Sequence, residues 1–269
     1  MGEKKNCELL FLGTGAADWN GPEADGSLRR FSCVLVNGHI LIDCPQHAMD
    51  SLLANGIRLE DVNELLITHS HPDHLNLRTL AEIALRRHEA DCPPLSVHCS
   101  RAIARRISET DYITATPLAP SDEFGIKGGR IKALAANHES HLPGEIPLHY
   151  LFMMEDGPTW YYAVDGGWML YDTWQELREH ELDAWVVDST TGIEGDERCF
   201  EHNSVEMLRV MLKTMLATGV LKTGAPVFMT HLARTLHPSH DVLVARMEPP
   251  FIVAYDGLDC ALERIPTYR

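Results

Sequence analysis

The hexapeptide His69-Ser70-His71-Pro72-Asp73-His74 puts four metal-binding side chains into six residues. Imidazole and carboxylate together suit Zn²⁺ well and Mn²⁺ or Fe²⁺ acceptably. The residues before it, Glu64-Leu65-Leu66-Ile67-Thr68, read as a buried strand that runs straight into the cluster. In extended backbone His69, His71 and Asp73 project to one side, because strand side chains alternate. His74 then follows in a turn and faces the same cavity. One cation does not easily take all four donors from so short a stretch. Two cations side by side can, each completed by ligands from elsewhere in the chain.

The rest of the chain must supply those ligands and hold them. Residues 7–13 read as a buried strand, closed by the tight turn Gly13-Thr14-Gly15. Residues 16–30 are polar and rich in Gly, Pro and Asp, the pattern of a surface loop. The apolar runs 31–36 and 39–43 flank Asn37-Gly38, a strong hairpin signal. Helices are expected over 46–55, 76–90, 204–218 and 239–247. In the second, Leu77, Leu80, Ile83 and Ala84 share a face; in the third, Val205, Leu208, Met211, Leu212 and Met215 form a stripe. Further strands are expected at 95–98, 130–136, 149–154, 160–164, 184–188 and 226–230, with a final pair at 251–255 and 259–263. Strands and helices mix without strict alternation. That order predicts an α+β fold of two mixed sheets packed face to face and covered by helices. No Pro/Gly/Ser-rich linker splits residues 1–269, so one domain is expected.

Composition narrows the function. Acidic residues number 39 and basic residues 23, a formal charge of −16. Such a surface repels phosphate backbones and acidic lipid, so long nucleic acid and membranes are not the expected partners. Seven cysteines, with no C-x-x-C pair, read as free thiols in a reducing compartment. There is no run of ~18 apolar residues, and the first residues carry no signal-peptide pattern, so a cytoplasmic location is expected. The 15 histidines are the outlier.

His-x-His-x-Asp-His after a buried strand resembles the signature of the metallo-β-lactamase-fold hydrolases. Phe11-Leu12-Gly13-Thr14-Gly15 is similar to that family's opening strand and turn, and Leu41-Ile42-Asp43-Cys44 to its second hairpin. The resemblance covers about residues 7–262 and implies a four-layer αββα sandwich. It also implies a ligand set. His69, His71 and His138 would hold one divalent cation; Asp73, His74 and His231 would hold a second; Asp165 would bridge them; and Asp43 would support the metal loop. The competitors are His141 for His138, His237 or His240 for His231, and Asp172 for Asp165. Oxygen-reducing members of the fold carry Glu where this chain has His71, so iron redox chemistry is not the first expectation.

Three segments resemble the phosphodiesterase branch of the family, which includes tRNA 3′-processing endonucleases and the cyclic phosphodiesterase of the carbon–phosphorus lyase pathway. They are Ala184 to Thr190, His202-Asn203-Ser204 and Thr230 to Arg234. The closing Ile252 to Gly257 is similar to the end of the cyclic phosphodiesterase. The resemblance implies hydrolysis of a small or cyclic phosphodiester by hydroxide held between two Zn²⁺ or Mn²⁺ ions. Asp73 sits with the catalytic ligands, and His202, oriented by Asp188, would protonate the leaving oxygen. Against that role, His202 could merely cap the helix beginning near Asn203. The endonucleases' tRNA-clamping insertion has no room here, since 26 residues separate His138 from Asp165. The cyclic phosphodiesterase's cysteine-bound structural zinc is also missing from the 16–30 loop, which has no cysteine. Trp19 could stack on a base or sugar, and Arg29, Arg30 or Arg234 could hold a phosphate. A homodimer is the assembly the resemblance implies. Thioester, lactone and β-lactam hydrolysis use the same ligands, and a non-catalytic metal-binding accessory protein would keep them too.

Overall fold

The computed structural model describes residues 6–23, 26–107 and 111–266. Residues 24 and 25 of the expected 16–30 loop, and the first five residues, lie outside them. Among the described residues, fourteen strands form two seven-stranded sheets. The first holds β14 (Asp259–Leu262), β1 (Cys7–Gly13), β2 (Cys33–Val36), β3 (Ile40–Ile42), β4 (Glu64–Leu66), β5 (Leu95–Ser100) and β6 (Ile113–Leu118), in that order. The second holds β13 (Phe251–Val253), β12 (Val227–Thr230), β11 (Ala184–Asp188), β10 (Thr159–Ala163), β9 (Leu148–Met154), β8 (Gly129–Ala135) and β7 (Glu123–Ile126).

The strands read as continuous apolar runs because both faces of each sheet are covered. Along β1, Cys7, Leu9 and Phe11 point into the space between the sheets, while Leu12 points outward. Along β10, Trp160 and Tyr162 point inward, and Tyr161 and Ala163 outward. The inner layer therefore joins both sheets. Phe11 meets Phe228 across the gap with ring centroids 5.6 Å apart. The cross-strand partners Phe152 and Trp160 stack at 4.1 Å.

Helices close the outer faces. α1 (Ala48–Ala54), α2 (Leu77–Glu89) and α3 (Arg101–Ala104) cover the first sheet. α4 (Tyr171–Leu177) and α5 (Val205–Thr218) cover the second, and α6 (His240–Arg246) packs Leu243 against Val253 of β13. α2 buries Leu80, Ile83 and Ala84, whereas Leu77 in its first turn stays exposed. Its N-cap Asn76 accepts hydrogen bonds from the amides of Arg78 and Thr79. α5 starts at Ser204, whose Oγ accepts from the Met207 amide at 3.2 Å, and stops at the left-handed Gly219. No helix among the described residues is long and apolar enough to cross a membrane.

The hairpin at Asn37-Gly38 is present, with both residues at positive φ and β2 antiparallel to β3. The expected final strand pair is not. β13 runs parallel to β12 in the second sheet, and β14 runs antiparallel to β1 in the first. The connecting turn is pulled across by Asp256, whose carboxylate accepts from Thr14 Oγ1 at 2.7 Å and the Arg30 amide at 2.6 Å.

Candidate metal centre

The chemistry-bearing residues follow strand ends at one edge of the sandwich. β3 leads to Asp43, β4 to the 69–74 cluster, β8 to His138, β10 to Asp165, β11 ends on Asp188, and β12 leads to His231. Carboxyl ends of strands are where open sheets present ligands. Regular strand ends at Leu66, and Pro72 to His74 form a turn in which the amides of His74 and Leu75 donate to the His71 carbonyl at 2.9 and 2.8 Å. Asp73 thus reaches the site from a turn, not from the pleat that strict alternation predicts.

Two donor groups share one residue: His69, His71, His138 and Asp165 offer donor atoms within 4.8 Å of one another, as do Asp73, His74, Asp165 and His231. A third group, Asp165, Asp188, His202 and His231, meets the same limit beside them. Asp165 Oδ2 is the common point. It lies 3.2 Å from His69 Nε2, 3.2 Å from His74 Nε2, 3.3 Å from His138 Nε2 and 3.7 Å from His231 Nε2. Asp73 Oδ2 sits 3.5 Å from His74 Nε2 and 3.4 Å from His231 Nε2.

Each of four imidazoles is held from behind through Nδ1. His74 Nδ1 meets Asp43 Oδ2 at 2.7 Å, and His138 Nδ1 meets the Glu201 carbonyl at 3.1 Å. His69 Nδ1 meets Thr68 Oγ1 at 3.0 Å, and His231 Nδ1 meets Thr190 Oγ1 at 2.7 Å. Thr68 and Thr190 pass their own hydroxyl protons to Asp43 and Asp188. Nδ1 then carries the proton, and Nε2 turns a lone pair inward. The ring nitrogens crowd as a result: His74 Nε2 faces His231 Nε2 at 3.2 Å, and His138 Nε2 faces His71 Nδ1 at 3.2 Å. His69 Nε2 is buried and makes no hydrogen bond. Burial holds His69 well below its ordinary pKa, and burial with His138 nearby lowers His71 to about 4. Against burial, the neighbouring carboxylates act the other way on the remaining pair, holding His74 well above its ordinary pKa and raising His231 to about 9, so a cation there would take the place of a proton. Imidazoles and carboxylates converging in this way fit divalent cations.

Three of the positioning residues stand in left-handed backbone: Asp43 at φ 63°, Asp165 at φ 65° and His231 at φ 56°. Non-glycine residues rarely adopt it, and they do so where surrounding contacts impose it.

His202 and Asp188 meet beside the cluster. His202 Nδ1 lies 3.1 Å from Asp188 Oδ2 and 2.9 Å from Asp165 Oδ1. Burial opposes its charge, but the two carboxylates raise its pKa to about 11. His202 does not cap α5, since Ser204 does. Asp188 also accepts from the amides of Thr190 and Asn203. The second contact of His202, with Asp165, was not legible in sequence.

The competing residues are engaged elsewhere. His237 Nε2 donates to the Ser189 carbonyl at 2.6 Å, and His240 Nδ1 accepts from Arg29 at 3.0 Å. Asp172 is exposed in the first turn of α4. His141 packs its ring 4.2 Å from that of His71, yet it is in none of the donor groups. Trp19 and Arg234 line a cavity of about 470 Å³. Their polar heads are committed within it: Trp19 Nε1 donates to the Leu232 carbonyl at 2.7 Å, and Arg234 Nε to Glu23 at 2.6 Å. Asp43 stands behind His74, as the resemblance implied, but sequence alone missed Thr68, Thr190 and the Glu201 carbonyl as supports. Of these Thr190, two residues past Asp188, had a visible signal.

The family model of the Beta-lactamase superfamily domain matches residues 38–223. Ribonuclease Z of Methanopyrus kandleri (strain AV19) is 28% identical over 131 residues, covering 48% of this chain and 46% of that protein. The chain thus spans less than half the length of the curated relatives it matches. Among solved structures, the metallo-beta-lactamase fold protein YhfI from Bacillus subtilis superposes with a TM-score of 0.74 at 14% identity, over 96% of this chain and 100% of that one. A diphosphatase from the PhnP family superposes with a TM-score of 0.73 at 16% identity, over 97% and 98%. At these identities the two structures show a shared fold.

Proposed function

The chain belongs to the beta-lactamase superfamily, and on that premise we propose that it is a metal-dependent hydrolase of a small or cyclic phosphodiester. His69, His71 and His138 would hold one divalent cation and Asp73, His74 and His231 a second, with Asp165 between them. Bound there, Zn²⁺ or Mn²⁺ would lower the pKa of a water toward neutrality and offset charge gathering on the phosphoryl oxygens. Asp43, Thr68, Thr190 and the Glu201 carbonyl keep the imidazole protons on the outer nitrogens. The inner nitrogens stay free to bind.

The observation that carries the phosphodiester reading is His202 against Asp188. A phosphodiester's leaving alkoxide needs a proton, which an acyl substrate with a good leaving group does not. Asp188 orients His202 through Nδ1, and Nε2 is the atom from which the proton would go to the leaving oxygen. The −16 charge and the short connection from His138 to Asp165, made by β9 and β10 alone, favour a small substrate.

The test is hydrolysis of bis(p-nitrophenyl) phosphate by the purified protein with added Mn²⁺ or Zn²⁺, before and after chelation. Turnover that chelation abolishes and metal restores is the expected result. No turnover with metal bound would point to a carbon-ester substrate or to an accessory role.

A further inference from the structure

The Asp165 carboxylate is central to the cluster, and its backbone is strained, so something must hold the turn that carries it. Four hydrogen bonds do so. The Asp165 carbonyl accepts from His149 Nε2 at 3.3 Å, and the Gly166 carbonyl from Asn203 Nδ2 at 2.8 Å. The Gly167 amide donates to the Asn137 carbonyl at 3.0 Å, and Asn137 Nδ2 donates to the Trp168 carbonyl at 3.1 Å. Each residue from Asp165 to Trp168 is therefore tied through a backbone group from outside the turn.

We infer that His149 and Asn203 are positioning residues that clamp the Asp165–Trp168 turn and so fix the Asp165 carboxylate between the two donor groups. His149 stands on β9 and Tyr161 on the neighbouring β10, on the same face of the sheet. Tyr161 donates its hydroxyl proton to His149 Nδ1 at 2.8 Å. That leaves the imidazole proton on Nε2, aimed at the Asp165 carbonyl. Both His149 and Asn203 are buried, so neither bond competes with water. Asn203 does double duty. Its backbone N–H donates to Asp188 Oδ1 at 2.8 Å, so one residue ties the turn to the His202–Asp188 pair.

The glycines fit this reading. A Cβ on Gly166 would lie 3.0 Å from His149 Cε1, and one on Gly167 would lie 2.9 Å from the Phe200 backbone. The turn is bare at Gly166 where His149 presses on it, and at Gly167 where the 199–200 backbone does. His149 is in none of the donor groups, and the Asn203 side-chain nitrogen is spent on the Gly166 carbonyl, so their effect on the cations is indirect.

The inference rests on Asp165 being a metal ligand, as proposed above, and the test separates the two. His149→Leu and Asn203→Ala are compared with His149→Gln, which retains an N–H donor, and with Leu212→Ala, a core change on α5. Hydrogen exchange over residues 164–170 of the chelated protein reads the clamp without any metal. Competition with a chromophoric chelator reads Zn²⁺ affinity. The expected result is faster exchange and a 10–100-fold loss of affinity in the first two variants, the range for groups that orient ligands from behind. His149→Gln recovers part of both, and Leu212→Ala lowers Tm with neither change. Unchanged exchange, or faster exchange with wild-type affinity, overturns the inference. A wild-type protein that takes up no Zn²⁺ overturns the proposed function, and the exchange data then judge the clamp alone.

Discussion

The Nε2 atoms of His74 and His231 face each other at 3.2 Å, one delivered by the first sheet and the other by the second. Both nitrogens also face the Asp73 and Asp165 carboxylates, so a cation seated among them would be held from both sheets at once. Metal should therefore hold the sheets together at this edge. At a thousandfold excess over Kd, binding stabilises by about 4 kcal/mol. For a chain of this size that raises Tm by on the order of 10 °C. Thermal unfolding with Zn²⁺, with Mn²⁺ and after chelation measures it, and three coincident melts would remove the metal from the account.

Asp165 Oδ2 lies within reach of four imidazole nitrogens. Asp165→Asn keeps the shape and removes the charge. Turnover should fall at least ~100-fold, and metal stoichiometry should drop. A variant that keeps wild-type rate with full metal content would displace Asp165 from its central place.

His202→Ala should leave the metals in place. The rate should fall by about 10²–10⁴ for a substrate leaving as an alkoxide, and little for one leaving as nitrophenolate, which departs without a proton. Equal slowing of both substrates would deny His202 the proton transfer and leave it a purely structural neighbour of Asp188.

Asp43 is fully buried and accepts from Thr68 and from His74 Nδ1. Asp43→Ala should weaken metal binding roughly 10–100-fold, because His74 loses the partner that fixes its proton. Calorimetric titration with Zn²⁺ reads this directly. Unaltered affinity would show that Thr68 alone suffices.

Ser204→Ala removes the cap of α5 without touching the cluster. It should cost about 1 kcal/mol of stability and leave kcat per folded molecule unchanged. Denaturant unfolding beside a rate measurement checks both halves, and a lower kcat would mean that the helix start governs His202.

Much of this was legible because the signals were local. Asn37-Gly38 carries its own backbone requirement, and the long apolar runs of β1, β9 and β11 allow little else. The segments missed lie at edges or are short. β6 contains Pro117, and β7 is four residues long with a glycine in it, features that edge strands tolerate. α3 and α4 span four and seven residues. The misread pairing of β13 and β14 has another cause. Tyr255-Asp256-Gly257 would serve a hairpin equally well, and what takes the chain across to the first sheet is the contact of Asp256 with Thr14 and Arg30, residues more than two hundred positions away. The residues of the donor cluster, and Asp43 behind His74, were visible from order and type. Thr68, His149 and Asn203 were not, since they gain meaning only from what they touch.

The left-handed backbone at Asp43, Asp165 and His231 sets stability against purpose. Glycine, or asparagine, sits in that conformation with less penalty than most residues. A saturation library sorted only for folded protein should therefore enrich glycine or asparagine at these three positions, and the same library sorted for turnover should return the native residues. The positions at which the two sorts disagree would map, residue by residue, where this chain gives up folding free energy to keep a reactive edge.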